Sequence, residues 1–235
     1  MRKQFIYFSF AAAVFCAACK KDNYKAPDAG ISGNIVDALT GRNVPQQTLN
    51  GAKIRLYQTG YKNPQPINSS IKPDGSYANT FIFSGNYKVV AEGPFFYTDT
   101  LSLNINGNVQ ADLKVTPYLE VGCELVSKTS TSITVRVKTN RAAGNTQKIA
   151  RVAVVAGTTA SVDINNYYNV DGTKNGLVVV NTEAISDATV EAETYEFTLA
   201  KLKPGTLYYV RGGARTLNNG NFYNYAGMMQ ISTNP

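Results

Sequence analysis

The sequence predicts an all-β fold: two antiparallel β-sandwich domains in series behind an export signal. Three observations carry this. From Gly30 onward apolar residues recur with period two in short runs, the runs are broken by Gly, Pro, Asn and Asp, and no stretch keeps the period of an amphipathic helix. Hydrophobic residues make up 43% of the 235 residues, which is enough to bury a core in each of two small domains.

Residues 1–18 form the export signal. Arg2 and Lys3 supply its positive end, Phe5 to Phe15 its apolar centre, and Ala17-Ala18 the small residues that precede a signal-peptidase cut. The apolar run is too short to span a bilayer. Residues 19–29 are polar, contain Pro27 and show no periodicity, so they read as a tether reaching at most roughly 35 Å.

Residues 30–117 form the first sandwich. Ile31 to Val36 is a strand and Asp37 to Gly41 its turn; Ile54 and Leu56 share a face in Ala52 to Tyr57. Lys72-Pro-Asp-Gly75 is a turn, followed by Ser76 to Phe83 with Tyr77, Phe81 and Phe83 on one side. Tyr87, Val89 and Ala91 alternate, then Leu101, Leu103 and Ile105, then Val109 to Val115; Asn106-Gly107 between the last two runs predicts a hairpin.

Residues 118–235 form the second sandwich. Its strands are Val121 to Val126, Ile133 to Val137, Ile149 to Ala156, Leu177 to Val180, Tyr195 to Leu199, Leu207 to Ala214 and Tyr225 to Ile231.

Composition removes whole reaction classes. With no histidine, imidazole-based triads and His-ligated metal sites cannot be built. Two of the three cysteines lie in or at the end of the export signal, so no disulfide forms within the domains; Cys123 reads as a strand thiol rather than a nucleophile. Loss of Arg2 and Lys3 with the signal lowers the formal charge from +7 to +5, and the basic residues are scattered, a pattern that does not indicate nucleic acid.

Three constellations invite a chemical reading. Asp171-Gly-Thr-Lys-Asn-Gly176 begins like a calcium loop, but Thr182 stands where the bidentate Glu belongs, so it reads as a turn and no metal is expected. Glu191, Glu193 and Glu196 cluster; Glu191 and Glu193 at strand spacing read as a solvated edge rather than a glycosidase pair. Aromatics beside Gly, Pro or Asn are the candidate ligand contacts: Phe95 and Phe96, Tyr167 and Tyr168, and Phe222, Tyr223 and Tyr225. No catalytic residue and no cofactor are expected.

Four resemblances extend this reading. Ala17-Ala18-Cys19 resembles the lipobox of bacterial lipoproteins, although Cys16 stands where a large aliphatic residue is usual; the resemblance implies a lipoprotein signal peptide and acylation of Cys19. Ile31-Ser-Gly-Asn-Ile-Val-Asp37, Gly51 to Leu56, Pro73-Asp-Gly-Ser-Tyr77 and Ser84-Gly-Asn-Tyr-Lys-Val-Val90 look like the carboxypeptidase-regulatory or transthyretin-like sandwich, a non-catalytic module. Leu202-Lys-Pro-Gly-Thr-Leu-Tyr208 resembles the fibronectin type III signature, which would make Tyr208 a tyrosine corner, although no core Trp is present. Together these features resemble domain-of-unknown-function family 3823, bacterial lipoproteins often encoded beside glycan-uptake systems. That resemblance implies a cell-envelope location and glycan association but no known activity; the lipobox resemblance with two sandwiches that lack catalytic residues leads to the expectation of a non-enzymatic outer-membrane lipoprotein, with a polysaccharide or transporter components as partners. The alternative is a structural, adhesin or partner-binding stalk that positions another envelope protein.

Overall fold

The computed structural model describes residues 25–96, 99–170 and 172–235; the export signal, Cys19, most of the tether, Tyr97 and Asp171 lie outside the described residues. Two sandwiches follow one another.

The first is built from β1 (Ala29–Asp37), β2 (Lys53–Gln58), β3 (Ile67–Ser70), β4 (Ser76–Ile82), β5 (Gly85–Glu92), β6 (Leu101–Ile105), β7 (Asn108–Gln110) and β8 (Leu113–Val115). One sheet runs β3-β2-β5-β6; the other centres on β1, with β4 on one side and β7 and β8 on the other. The alternating residues meet between the sheets: Ile31, Ile35, Ile54, Leu56, Val89 and Ile105 are each at most 1% exposed. Tyr77 closes one end, with its hydroxyl donating to the Ala111 carbonyl, and burial pushes its pKa up to about 12.

Two expectations fail here, each for a local reason. Asn106-Gly107 does not close a hairpin. β6 pairs with β5 in one sheet, whereas β7 crosses to the other and pairs parallel with β1, as does β8. Gly107 adopts φ +69° and its carbonyl accepts from Gly30 N, so the turn arches between sheets. Nor do Tyr77, Phe81 and Phe83 share a face. A bulge in β4 lets Ala29 pair with Ile82 but Ile31 with Asn79, which reverses the alternation. Ile82 turns inward and Phe81 and Phe83 turn out.

The second sandwich comprises β9 (Leu119–Lys128), β10 (Ser132–Arg141), β11 (Ile149–Gly157), β12 (Leu177–Asn181), β13 (Tyr195–Ala200), β14 (Leu207–Thr216), β15 (Asn224–Tyr225) and β16 (Met229–Ser232). A sheet ordered β13-β10-β9 faces one ordered β12-β11-β14, whose far edge is shared by β15 and β16. This is the strand order of a fibronectin type III-like sandwich, and Tyr208 is its tyrosine corner: the hydroxyl, on a fully buried ring, accepts from Lys203 N at 2.9 Å. β11 is buried on both faces, Val152 and Val154 in the main core and Ala153 and Val155 in a second layer with Tyr223 and Tyr225. That explains its unbroken apolar run.

The chain also holds a helix that periodicity did not predict, α1 (Asp187–Ala192). Ser186 caps it by accepting from Thr189 N, and Val190 is buried beneath it. Glu191 therefore lies on a helix, not on a solvated strand edge. Its carboxylate accepts from Arg141 N at 3.0 Å and Nε at 2.9 Å, and these bonds hold it below its usual range. Glu193 caps the helix C-terminus, and Glu196 faces Arg136 across β13 and β10.

The domains are joined by buried polar groups. Arg211 on β14 is 0% exposed; its Nη1 donates to Gln46 O at 2.9 Å and Val162 O at 3.3 Å, its Nη2 to Pro73 O at 3.4 Å, and only Nε lacks an acceptor. The guanidinium lies 4.2 Å from the Tyr225 ring centroid. Burial lowers its pKa to about 10, so it stays charged at neutral pH. Asp163, also 0% exposed, accepts from Thr48 N and Leu49 N across the junction, both at 2.8 Å. Asn224 adds a third link, with Nδ2 donating to Pro94 O at 2.8 Å.

Two predictions follow from these contacts. Arg211→Met strands the Gln46 and Val162 carbonyls, while Pro73 O keeps its bond from Gln46 N, so urea unfolding should lose about 3 kcal/mol and split into separate domain transitions; a loss below about 1 kcal/mol would show that Arg211 does not fasten the junction. Glu191→Gln should cost about 1 kcal/mol at pH 7. Because the folded-state pKa of Glu191 is depressed, its contribution is complete above the ordinary value of 4.5 and vanishes as pH falls through the folded value. Denaturation curves of the two proteins should therefore converge in acid.

Candidate functional site

Two grooves flank the junction. The first, about 590 Å³, lies between the outer face of β2 and β5 and the loop that follows β14. Period two places Arg55 and Tyr57 on the outward face of β2, and Lys88, Val90 and Glu92 on that of β5. Tyr118 enters from the interdomain connection, and Asn219 and Phe222 from the second domain. Tyr57, Tyr118 and Phe222 are each half-buried, presenting ring surface to the groove while remaining fixed.

Packing behind the rings sets their positions. Phe96 stands edge-on to Tyr118 with centroids 5.2 Å apart. Phe95, 3% exposed, bridges Pro117 and forms the floor. Phe222 is held by Asn218, whose Oδ1 accepts from Phe222 N at 2.8 Å and whose Nδ2 donates to Phe222 O at 2.9 Å. Gly220, at φ +99°, has no room for a side chain, since a Cβ there would lie 2.5 Å from the Phe222 ring.

The groove is polar but not acidic. Arg55 pairs with Glu92, which also lies 3.9 Å from Lys53, and the Arg55 guanidinium is held above its usual value first by Tyr57 and then, against the cost of burial, by Glu92. Among the described lining residues Glu92 is the sole carboxylate.

The second groove, about 580 Å³, is lined by Asp37, Arg42, Asn43, Glu120, Lys138 and Asn140, with Tyr225 its only ring. Tyr225 is 5% exposed beneath Arg211, and Asp37 is occupied with its own turn, accepting from Leu39 N at 2.8 Å. This leaves little flat apolar surface to stack on. The aromatic groove is the better candidate.

Of the seven aromatic contacts predicted from sequence, Phe95, Phe96 and Phe222 come together here. Tyr223 and Tyr225 do not: at 3% and 5% exposed they are buried in the junction, because Gly212 and Gly213 leave β14 without side chains where the rings and the facing sheet press in. The Tyr225 hydroxyl instead accepts from Ile164 N. Tyr168 packs edge-on against Tyr208 at 5.4 Å and Tyr167 is half-buried beside it, away from this groove. Tyr57, Tyr118, Arg55 and Asn219 were missed, since only the domain arrangement brings them together. Asp171 lies outside the described residues, and Thr182 is fully buried, donating to Ile149 O at 2.9 Å. Among the described residues no cluster of three acidic, Cys or His groups could hold a metal. Burial raises the Cys123 thiol to about 11, leaving it a poor nucleophile.

Fold and groove define a class: a tandem β-sandwich protein with a rigid junction and a ligand-sized aromatic groove beside it. Residues 29–116 match the family model described as the N-terminal domain of a protein of unknown function (DUF3823). Crystal structures of similar architecture include a DUF3823 family protein from Bacteroides uniformis (TM-score 0.75, 20% identity, 88% of this chain and 100% of that one). Another, from the same organism, is a "putative carbohydrate binding protein" (TM-score 0.72, 25% identity, 88% of this chain and 99% of that one). A third is a DUF3823 family protein from Parabacteroides merdae (TM-score 0.62, 22% identity, 88% of this chain and 100% of that one). No curated protein matches the chain.

Proposed function

We propose that this protein is a non-enzymatic, lipid-anchored protein of the outer membrane that binds a glycan in the aromatic groove and serves a glycan-uptake system. The observation that carries the reading is the set of three half-buried rings, Tyr57, Tyr118 and Phe222, held rigidly beside Arg55, Lys88 and Asn219. Such rings stack on the apolar faces of sugars while the polar neighbours take hydroxyls, and preorganisation limits the entropy lost on binding. The neighbour named for carbohydrate binding supports the same class. A single carboxylate, engaged by Arg55 and Lys53, supports binding over hydrolysis, because glycoside cleavage uses two carboxyl groups roughly 5–10 Å apart. The sequence Ala17-Ala18-Cys19 supports the lipid anchor.

A second reading, a stalk that positions another envelope protein, draws on the rigid junction, where Arg211, Asp163 and Asn224 resist bending.

Titration calorimetry against a panel of polysaccharides separates the two. Heat is expected with at least one glycan, and Tyr118→Ala and Phe222→Ala should each weaken it about tenfold, or ~1.4 kcal/mol. Silence across the panel, with co-purification of a membrane protein, would favour the stalk. Mass spectrometry of the native amino terminus reads the acylation of Cys19 independently.

A further inference from the structure

The first domain exposes a second aromatic cluster at its other pole. Phe81 is 75% exposed, Phe83 44% and Tyr61 66%, all large for apolar rings on a folded domain. Phe81 and Phe83 point the same way, because the β4 bulge buries Ile82 between them. Tyr61 follows the end of β2, where Gln58 pairs with Tyr87 and Thr59 N donates to Asn86 O at 2.8 Å, and Tyr87 donates to Phe83 O at 2.8 Å, which places all three rings at one end of the sandwich.

The chain enters the domain at this pole. Asp28 N donates to Ile82 O at 3.1 Å, and Asp28 Oδ1 accepts from Ser84 N and Oγ, both at 3.0 Å. Lys25 pairs with Asp28, so its ammonium sits beside the cluster, and exposed Lys62 adjoins Tyr61. Residues 1–24 therefore join the domain next to the three rings. The groove runs along the outer face of β5 from Lys88 to Glu92, so its interdomain end, where Glu92, Tyr118 and Phe222 meet, lies about 23 Å from Gly85 at roughly 3.3 Å per residue.

We propose that this pole is a membrane-contact surface, with Phe81 and Phe83 seated at the boundary between lipid headgroups and acyl chains and Lys25 and Lys62 among the phosphates. Aromatic rings fringed by lysines suit the bilayer interface, where the apolar body is buried and the charged tip stays wet. The occupant is a lipid surface rather than a protein because the chain leading to the anchor arrives at this spot, which keeps the cluster within the tether's reach of the bilayer. The inference relies on the lipid-anchor reading for how the protein reaches the membrane. It adds an orientation in which the groove faces away from the bilayer.

The protein contains no tryptophan, so one introduced residue reports alone. The mature chain from Cys19 is coupled through that thiol to a maleimide phospholipid, while Cys123 stays unreactive with its thiol raised to about 11. Vesicles are phosphatidylethanolamine and phosphatidylglycerol, with or without bromine on the acyl chains. Phe81→Trp and Phe83→Trp should show blue-shifted emission quenched by brominated lipid. Leu39→Trp, at a position 84% exposed in the turn after Asp37, at the far end of β1 from Ala29, should show neither. Equal emission from all three, quenched or unquenched, overturns the proposal: unquenched rings would leave the cluster to a protein partner, and uniform quenching would mean unoriented contact. Because the lipid is attached chemically, this result is independent of whether Cys19 is acylated in the cell.

Discussion

One buried charge fixes the relation between the two domains. The Arg211 guanidinium has no carboxylate against it within hydrogen-bonding distance; it is held by carbonyls from both sandwiches and by the face of Tyr225. An unsolvated cation is tolerable only while those acceptors stay in place, so any hinge motion that withdraws Gln46 or Pro73 incurs a desolvation cost. Asp163, accepting two backbone N–H groups from the opposite side, imposes the same condition with the sign reversed. The interface is rigid because Arg211 and Asp163 are buried and find partners for their charges across it.

That rigidity gives the aromatic groove its meaning. Tyr57 belongs to one domain and Phe222 to the other, and Tyr118 lies on the connection between them. On a flexible pair of domains these rings would be three unrelated surface aromatics. The clasp makes them one concave surface, with Tyr118 fixed by Phe96 and Phe222 by Asn218 rather than by the ligand.

Much of the architecture could be read in the sequence because alternation reports burial directly. Ile54 with Leu56 and Tyr87 with Val89 fall where period two puts them, and the Tyr208 corner falls where the resemblance to the fibronectin type III signature implies it. The failures have physical causes. The β4 bulge inserts a residue and inverts the faces of Phe81 and Phe83, and no composition signal marks it. Asn106-Gly107 allows a left-handed turn but cannot say whether the next run returns to its neighbour or crosses to the other sheet. α1 is too short for a helical period and shows itself only through Ser186. For the site, half of the groove was readable as loop aromatics and half was not, since Tyr57 looks like any outward strand residue. Tyr223 and Tyr225 were misread although a signal was present: Arg211-Gly-Gly-Ala-Arg215 places two glycines inside a strand, a mark of close approach by another layer.

The parallel pairing of β1 with β7 and β8 carries a consequence for biogenesis. Ala29–Asp37 is the first of the described strands in chain order, yet two of its three partners lie between Asn108 and Val115. Loop closure over that span must precede their docking, so the domain has high contact order and folds slowly. Until then β1 presents one unpaired edge with Ile31 and Ile35 uncovered, a template for strand-to-strand aggregation.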